Sequence, residues 1–446
     1  MEAVITNPDF AELRRQLFAS APAESAAFLA AEPAGERLLV RSFHVFGPDQ
    51  LEGGGFGSAT ILEEAQGREL AALKRAGHAL IEVHTHPGSR GTVGFSMFDE
   101  DELPRFARYV QNKLRGLPFG ALVLGEEGYA GRSWRSNGRI GPLHLRTVGQ
   151  AVGAPAEVFR PDLTATSSNR FDRQVRALGP AGQGRLRTLC VAVVGLGGTG
   201  SQVVQQLAHL GVRNFVLVED DRVEESNLPR LAGATWADAR LRRRKTSIAK
   251  RVIRRLAARA RIKVTGPLRC PASLTELQRV DLIVGCVDND GARLIMAELA
   301  AAHLVPYLDI GVGIDGDPNE AEIGGRLAFY LPGGPCIACA DELDFAEAAE
   351  DLESEAARSI RVERGYARDR GVEAALMPLN TVLVGAAMIE LLAFSTGVRP
   401  VVPFLRYDAL TAQLVRQNVE PNDDCPVCIP AYAMGDRQRI LRYALS

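Results

Sequence analysis

The stretch LCVAVVGLGGTGSQVVQQLAHLG, residues 189–211, decides how the C-terminal part of this 446-residue chain folds. Leu189–Val194 is a short unbroken apolar run, the pattern of a strand buried on both faces. Ser201–Leu210 has helical spacing and stops at Gly211. Between the two lie Gly195, Gly197, Gly198 and Gly200. Glycines permit a tight strand-to-helix turn and let the backbone approach a phosphate, whose charge the free N–H groups of a helix N-terminus can receive. Alone, such a loop suits a dinucleotide equally well.

Downstream residues separate the two readings. Phe215–Val218 forms the next strand, and Glu219 at its end is placed to hold a ribose. EDDRVEESNLPR, residues 219–230, runs straight on, and Lys245 opens a basic helix expected to about Ala260. Strands follow at Leu282–Gly285 and Val305–Ile310, and DLIVGCVDN ends on Asp288 and Asn289. Strand alternating with helix predicts an α/β unit with a mostly parallel sheet. A dehydrogenase has no need of Asn, Arg and Lys beside its glycine loop. A site that neutralises a triphosphate does, and Asp288 is suited to Mg²⁺.

The N-terminal part is read as α+β, with apolar runs at Arg37–Phe46 and Ala79–Val83 and a helix from Asp99 to Leu114. Arg146–Asn169, rich in Gly, Pro, Ser and Thr, is read as the linker between domains at 1–150 and 165–446. Within EVHTHPGSRGTVGFSMFDEDE, residues 82–102, His84 and His86 share one face of an extended segment. A carboxylate at Asp99 would complete three zinc ligands and leave a fourth position for water, the mark of a catalytic site. The metal then acidifies that water and polarises a carbonyl, while a separate carboxylate, here Glu24, shuttles the proton.

Cys336-x-x-Cys339 and Cys425-x-x-Cys428 form a four-thiolate set for a structural zinc. Net charge is −2, which gives nucleic acid no electrostatic purchase on the chain as a whole. The basic run 240–263 is read as a solvated helix face with Ile248, Val252 and Leu256 turned inward. The apolar segment Thr381–Val398 carries Glu390 and is read as a buried helix, so no membrane span is expected, nor a signal peptide. Cytoplasmic residence follows as an expectation.

His84-x-His86-Pro87, Ser96-x-x-Asp99 and Glu24 together resemble the JAMM (JAB/MPN) metallopeptidases, with nine residues between His86 and Ser96. That resemblance implies His84, His86 and Asp99 as ligands, Glu24 as general base, Ser96 as oxyanion donor, and cleavage after the tail of a ubiquitin relative. From Arg170 to Pro430 the chain is similar to the ubiquitin-activating-enzyme superfamily, which includes the thiamine and molybdopterin adenylyltransferases of bacteria. The resemblance rests on RFDRQ, the glycine loop, DRVEESNLPR, Lys245, the Val-Asp-Asn turn and the two Cys pairs. It implies ATP with Mg²⁺ and Glu219 on the ribose. Asp221, Asn227, Arg230 and Lys245 would surround the phosphates, and Arg173 would be donated across a homodimer.

Expected partners are a small β-grasp ubiquitin-like protein ending in glycine and a conjugating-enzyme-like protein. The segment 340–376, where relatives that form thioesters carry a cysteine, has none; Ser354 and Ser359 lie there instead. Competing readings are an NAD-dependent oxidoreductase with an appended metal domain, and a non-catalytic modifier-binding scaffold.

Overall fold

The computed structural model describes residues 1–52, 60–89, 91–149, 169–315, 322–353, 363 and 374–445, which leaves Ser354 and Ser359 outside the described residues. The chain divides into two units, Met1–Val158 with Tyr432–Arg437, and Phe159–Ala431 with Gln438–Ser446.

In the second unit eight strands form one sheet. The order is Arg261–Gly266, Asn214–Val218, Cys190–Val194, Leu282–Gly285, Tyr307–Asp315, Glu322–Tyr330, Phe404–Asp408, Gln413–Arg416. The first five are parallel and the remaining pairings antiparallel. Val191 and Val193 enter one core layer while Ala192 and Val194 enter the other, which is why the strand's sequence is apolar throughout. The helices Gly198–Leu210 and Met377–Thr396 supply Val203, Leu207, Leu383 and Leu391 to the first layer, and Asp290–His303 supplies Ile295 and Leu299 to the second. Cys190–Val194 comes first in the chain yet sits centrally, so strand order reverses between it and Leu282–Gly285. Ligands of open α/β sheets bind outside the carboxyl ends of the strands at such a reversal.

Several boundaries differ from those read in the sequence. The basic helix ends at Leu256, and its buried residues are Thr246, Ile248, Ala249 and Ile253; Val252 and Leu256 are half-buried. The strand expected at 305–310 runs from Tyr307 to Asp315, because pairing with Glu322–Tyr330 extends it along its whole length. The helix expected at Thr381–Val398 spans Met377–Thr396 and closes on Gly397 in the left-handed region. At 20 residues and mean hydropathy 1.7 it is apolar enough to cross a membrane, but Leu383, Val384, Ala387 and Leu391 are fully buried against the sheet. Its buried Glu390 is held by Arg399 at 2.5 and 3.0 Å.

The first unit's sheet also has eight strands. It runs His144–Val148, Glu2–Thr6, Arg37–Val45, Ala26–Ala34, Ala79–Thr85, Phe119–Leu124, Tyr129–Trp134, Ile140–Pro142. Arg146–Val148, read as the start of the linker, pairs instead with Val4–Thr6 in a parallel ladder. The rest of that linker, 150–168, is outside the described residues. Ala79–Thr85 is buried at every position, between Ala26–Ala34 and Phe119–Leu124. The helix expected from Asp99 starts at Met97, because Ser96 caps it: its Oγ accepts the Asp99 N–H, and the Asp99 carboxylate accepts the Ser96 N–H.

Candidate nucleotide site and metal centres

At the reversal of strand order lies a cavity of about 790 Å³. Gly195, Gly197, Gly198, Glu219, Asp221, Arg230, Lys245 and Asp288 all line it. The glycines have different reasons to be glycine. Gly195 has φ +83°, and a Cβ on Gly200 would stand 1.9 Å from the Gly195 carbonyl oxygen, so both are imposed by the turn itself. A Cβ on Gly198 would stand 2.5 Å from Asn380 Nδ2 and 3.3 Å from the Arg230 side chain. A Cβ on Gly197 would meet nothing within 4 Å. Open space beyond Gly197, at the mouth of a helix whose first turn has no side-chain cap, is where a phosphate could approach the backbone.

The Glu219 carboxylate accepts the N–H groups of Leu196, Asp220 and Asp221 at 2.9–3.0 Å, tying the second strand to the glycine turn. Lys245 Nζ lies 2.8 Å from Asp221 and 3.9 Å from Glu219. Its side chain is only 12% exposed, so its charge is held at the cavity wall. Asp288, exposed into the cavity, touches Asn289 Nδ2 at 3.5 Å. Asn227 and Arg173 are not among the lining residues. Asn227 Oδ1 accepts the Glu224 N–H and closes a short 3-10 turn, and Arg173 is exposed on the helix Asp172–Thr188. Burial, with the Asp309 carboxylate, pushes the Cys286 thiol well up, which disfavours its thiolate.

The four cysteines of the paired motifs meet. Cys336 Sγ is 3.6 Å from Cys425 and 3.8 Å from Cys339, and Cys339 is 3.7 Å from Cys428. Four sulfurs placed about 2.3 Å from a tetrahedral zinc stand roughly 3.8 Å apart, so the set fits a closed structural site.

In the first unit, His84, His86 and Asp99 offer ligand atoms within 4.8 Å of one another. His84 Nε2 is 3.5 Å and His86 Nε2 3.7 Å from the Asp99 carboxylate. His84 Nε2 is buried without a hydrogen-bond partner, an orphaned donor set that suits a cation. Burial alone would lower the His84 imidazole, and the carboxylates of Glu82 and Asp99 override it, raising it to about 10. Ala26 pairs with His84 at the end of the ladder, where the Thr85 N–H donates to Ser25 O and the Ser25 N–H to Thr85 Oγ1, and Glu24 follows just beyond that end. Ser96 is exposed, with Oγ accepting from Asp99 and its O–H left over to donate. Of the nine residues between His86 and Ser96, Ser89 accepts the Glu126 N–H on its carbonyl oxygen and Val93 is buried.

The model of the ThiF family matches residues 171–427, more than half of the chain. The chain belongs to the ThiF family. The SAMP-activating enzyme E1 of Haloferax volcanii is 27% identical over 274 residues, which is 60% of this chain and 90% of that protein. The ubiquitin-like modifier-activating enzyme 5 of Oryza sativa subsp. japonica is 25% identical over 260 residues, 55% of this chain and 57% of that protein. The chain thus spans little more than half the length of that relative. Among solved structures, E. coli MccB with MccA-N7isoASN superposes with a TM-score of 0.49 at 19% identity, covering 60% of this chain and 76% of MccB.

The ThiF region holds the glycine turn, most of the cavity lining and Cys336, Cys339 and Cys425, with Cys428 just past its end; His84, His86 and Asp99 lie outside it. Among the cavity residues of the ThiF unit that sequence reasoning does not reach is a buried amide. Asn380, 3% exposed, brings its amide to Gly198 from the helix Met377–Thr396. An Asn inside an apolar helical run is the signal that could have found it, since a buried amide needs a polar reason.

Proposed function

We propose that the ThiF unit uses ATP to adenylate the C-terminal carboxylate of a small ubiquitin-like protein. One observation carries the reading: glycine turn, Arg230, Lys245 and Asp288 converge on a single cavity at the strand-order reversal. A carboxylate oxygen attacks the α-phosphorus, the bond to the β-phosphate oxygen breaks, and pyrophosphate leaves with its electron pair. Little covalent chemistry is asked of the protein. The open N–H groups after Gly197 receive phosphate oxygens, and Arg230 and Lys245 offset the charge that develops on them. A Mg²⁺ ion held by Asp288 would screen the triphosphate when bound.

The substrate class is supported by the relatives named for activating SAMP and ubiquitin-like modifiers. Arg173, exposed and outside the cavity, fits donation to a partner copy in a homodimer. Seven unbridged cysteines, four of them gathered in the zinc set, fit a reducing compartment such as the cytosol. With no cysteine in 340–376, the adenylate is the natural end point of this chain's own chemistry, and any onward transfer would fall to a conjugating-enzyme-like partner.

ATP–pyrophosphate exchange, stimulated by a β-grasp protein ending in glycine, tests this reading. Exchange that is lost in Asp288→Ala is expected. Nicotinamide binding without exchange would hand the cavity to the oxidoreductase reading, and ATP binding without exchange to the scaffold.

The first unit is proposed as a JAMM-type peptidase acting at the same terminus, on the strength of the His84, His86 and Asp99 cluster. A zinc ion there would supply an acidified water and polarise the scissile carbonyl. Glu24, next to the end of the strand that pairs with His84, would be the carboxylate that carries the water's proton to the leaving amine, and the Ser96 hydroxyl the donor to the carbonyl oxygen. Cleavage of a reporter fused behind the modifier's terminal glycine is the assay. Cleavage that survives removal of the second zinc would overturn it.

A further inference from the structure

The strand Ala79–Thr85 carries one carboxylate, which the roles above leave unused. Glu82 precedes His84 by one strand period and therefore shares its face. Its ladder neighbours on the adjoining strands are Phe28 and Ala121, both buried in the apolar layer beneath the helix Met97–Lys113. Glu82 itself is 9% exposed. Oε1 meets His84 Nδ1 at 3.2 Å, while Oε2 is buried with no hydrogen-bond partner. A carboxylate half-satisfied on an apolar face is a poor way to stabilise a fold. An apolar residue of similar volume there costs nothing and is often better.

The other nitrogen of the same ring explains the arrangement. His84 Nε2 faces Asp99 and has no hydrogen-bond partner of its own. An imidazole that donates Nδ1–H to a carboxylate is fixed in rotation and tautomer, and its Nε2 lone pair becomes more basic and available to a metal. We infer that Glu82 is the positioning residue that holds His84 with Nε2 presented, together with His86 and Asp99, to a divalent cation. The inference rests on the metal-site reading of the first unit and adds a residue that touches neither cation nor substrate.

The test uses the full chain with the four-thiolate site filled by one equivalent of zinc, and Co²⁺ as the probe of the second site. Cobalt bound by nitrogen and oxygen shows weak visible bands without the intense sulfur charge-transfer absorption, so the sites are told apart. Wild type is expected to take up one Co²⁺, and His84→Ala none. Glu82→Leu, which packs but accepts no hydrogen bond, is expected to bind 10–100-fold more weakly, with Glu82→Gln in between because its amide oxygen still accepts Nδ1–H. The melting temperature of Glu82→Leu in chelator is expected to equal or exceed that of wild type. Equal Co²⁺ affinity in wild type and Glu82→Leu, with His84→Ala inactive, would overturn the role of Glu82 and leave the metal site standing. So would a melting temperature that collapses along with the affinity, which marks a structural role. No Co²⁺ uptake by wild type would remove the site itself.

Discussion

The two candidate centres are built from opposite materials. The nucleotide cavity is made largely of backbone: a glycine turn, an uncapped helix start, and Glu219 spent on three amide N–H groups. The metal centre is made of side chains, two histidines one strand period apart and an aspartate that also caps its own helix. A backbone-built site fails when its main chain cannot take the required path, and its failure is a folding event. A side-chain-built site loses function one group at a time while the sheet beneath it stays intact. Substitutions of comparable size should therefore divide cleanly between lost stability and lost chemistry.

The largest effect is expected from Gly200→Ala. Its new methyl would stand 1.9 Å from a main-chain oxygen that cannot swing aside. We expect destabilisation of about 3 kcal/mol or more. Thermal unfolding should show the loss, and ATP titration should show no binding, while Co²⁺ uptake at His84 and His86 is unchanged. Wild-type stability in this variant would break the claim that the turn is backbone-limited. Next comes Glu24→Gln, which should slow reporter cleavage by roughly 10²–10⁴-fold without moving metal affinity or the melting temperature. A fall in Co²⁺ affinity would place Glu24 among the ligands instead. Lys245→Met should lower pyrophosphate exchange by roughly 10²–10³-fold, the usual scale for one preorganised charge. Exchange within a few-fold of wild type would show that its contacts with Asp221 and Glu219 are its whole purpose.

What could be read from the sequence follows the range of each signal. The glycine turn, the His-x-His pair and the Cys-x-x-Cys pairs are local patterns, set by strand and turn geometry, and the structure gathers each of them. The start of the linker is not legible locally, because Arg146–Val148 is an edge strand fixed by pairing with Val4–Thr6 about 140 residues earlier. Asn227 stands outside the cavity lining, with its Oδ1 accepting the Glu224 N–H, as Asn commonly does at a turn. Asn380 could not be placed at Gly198 without the packing of a helix far along the chain on the helix that follows the turn. Glu82 escaped for the converse reason. Its period with His84 was visible in the quoted segment, but only burial shows that it lacks a second partner.

The smallest effect is the sharpest probe of the difference between the centres, because it concerns a glycine that the protein does not need for its own sake. Gly197 has φ −74°, an ordinary value for any residue, and a methyl there would find no protein atom within 4 Å. Gly197→Ala should therefore change stability by less than about 1 kcal/mol, and reduced freedom of the unfolded chain could even raise it. The only thing such a methyl can obstruct is a ligand lying against the helix start. A phosphate kept from those N–H groups by one methyl loses part of a charge-assisted contact, about 1.4 kcal/mol or tenfold in ATP affinity. Gly200→Ala and Gly197→Ala, three residues apart, are thus expected to separate completely: one unfolds the turn, the other leaves the turn intact and weakens the nucleotide. If isothermal titration finds ATP bound to Gly197→Ala as tightly as to wild type, the phosphates do not lie at this helix start. The cavity would then need a different ligand.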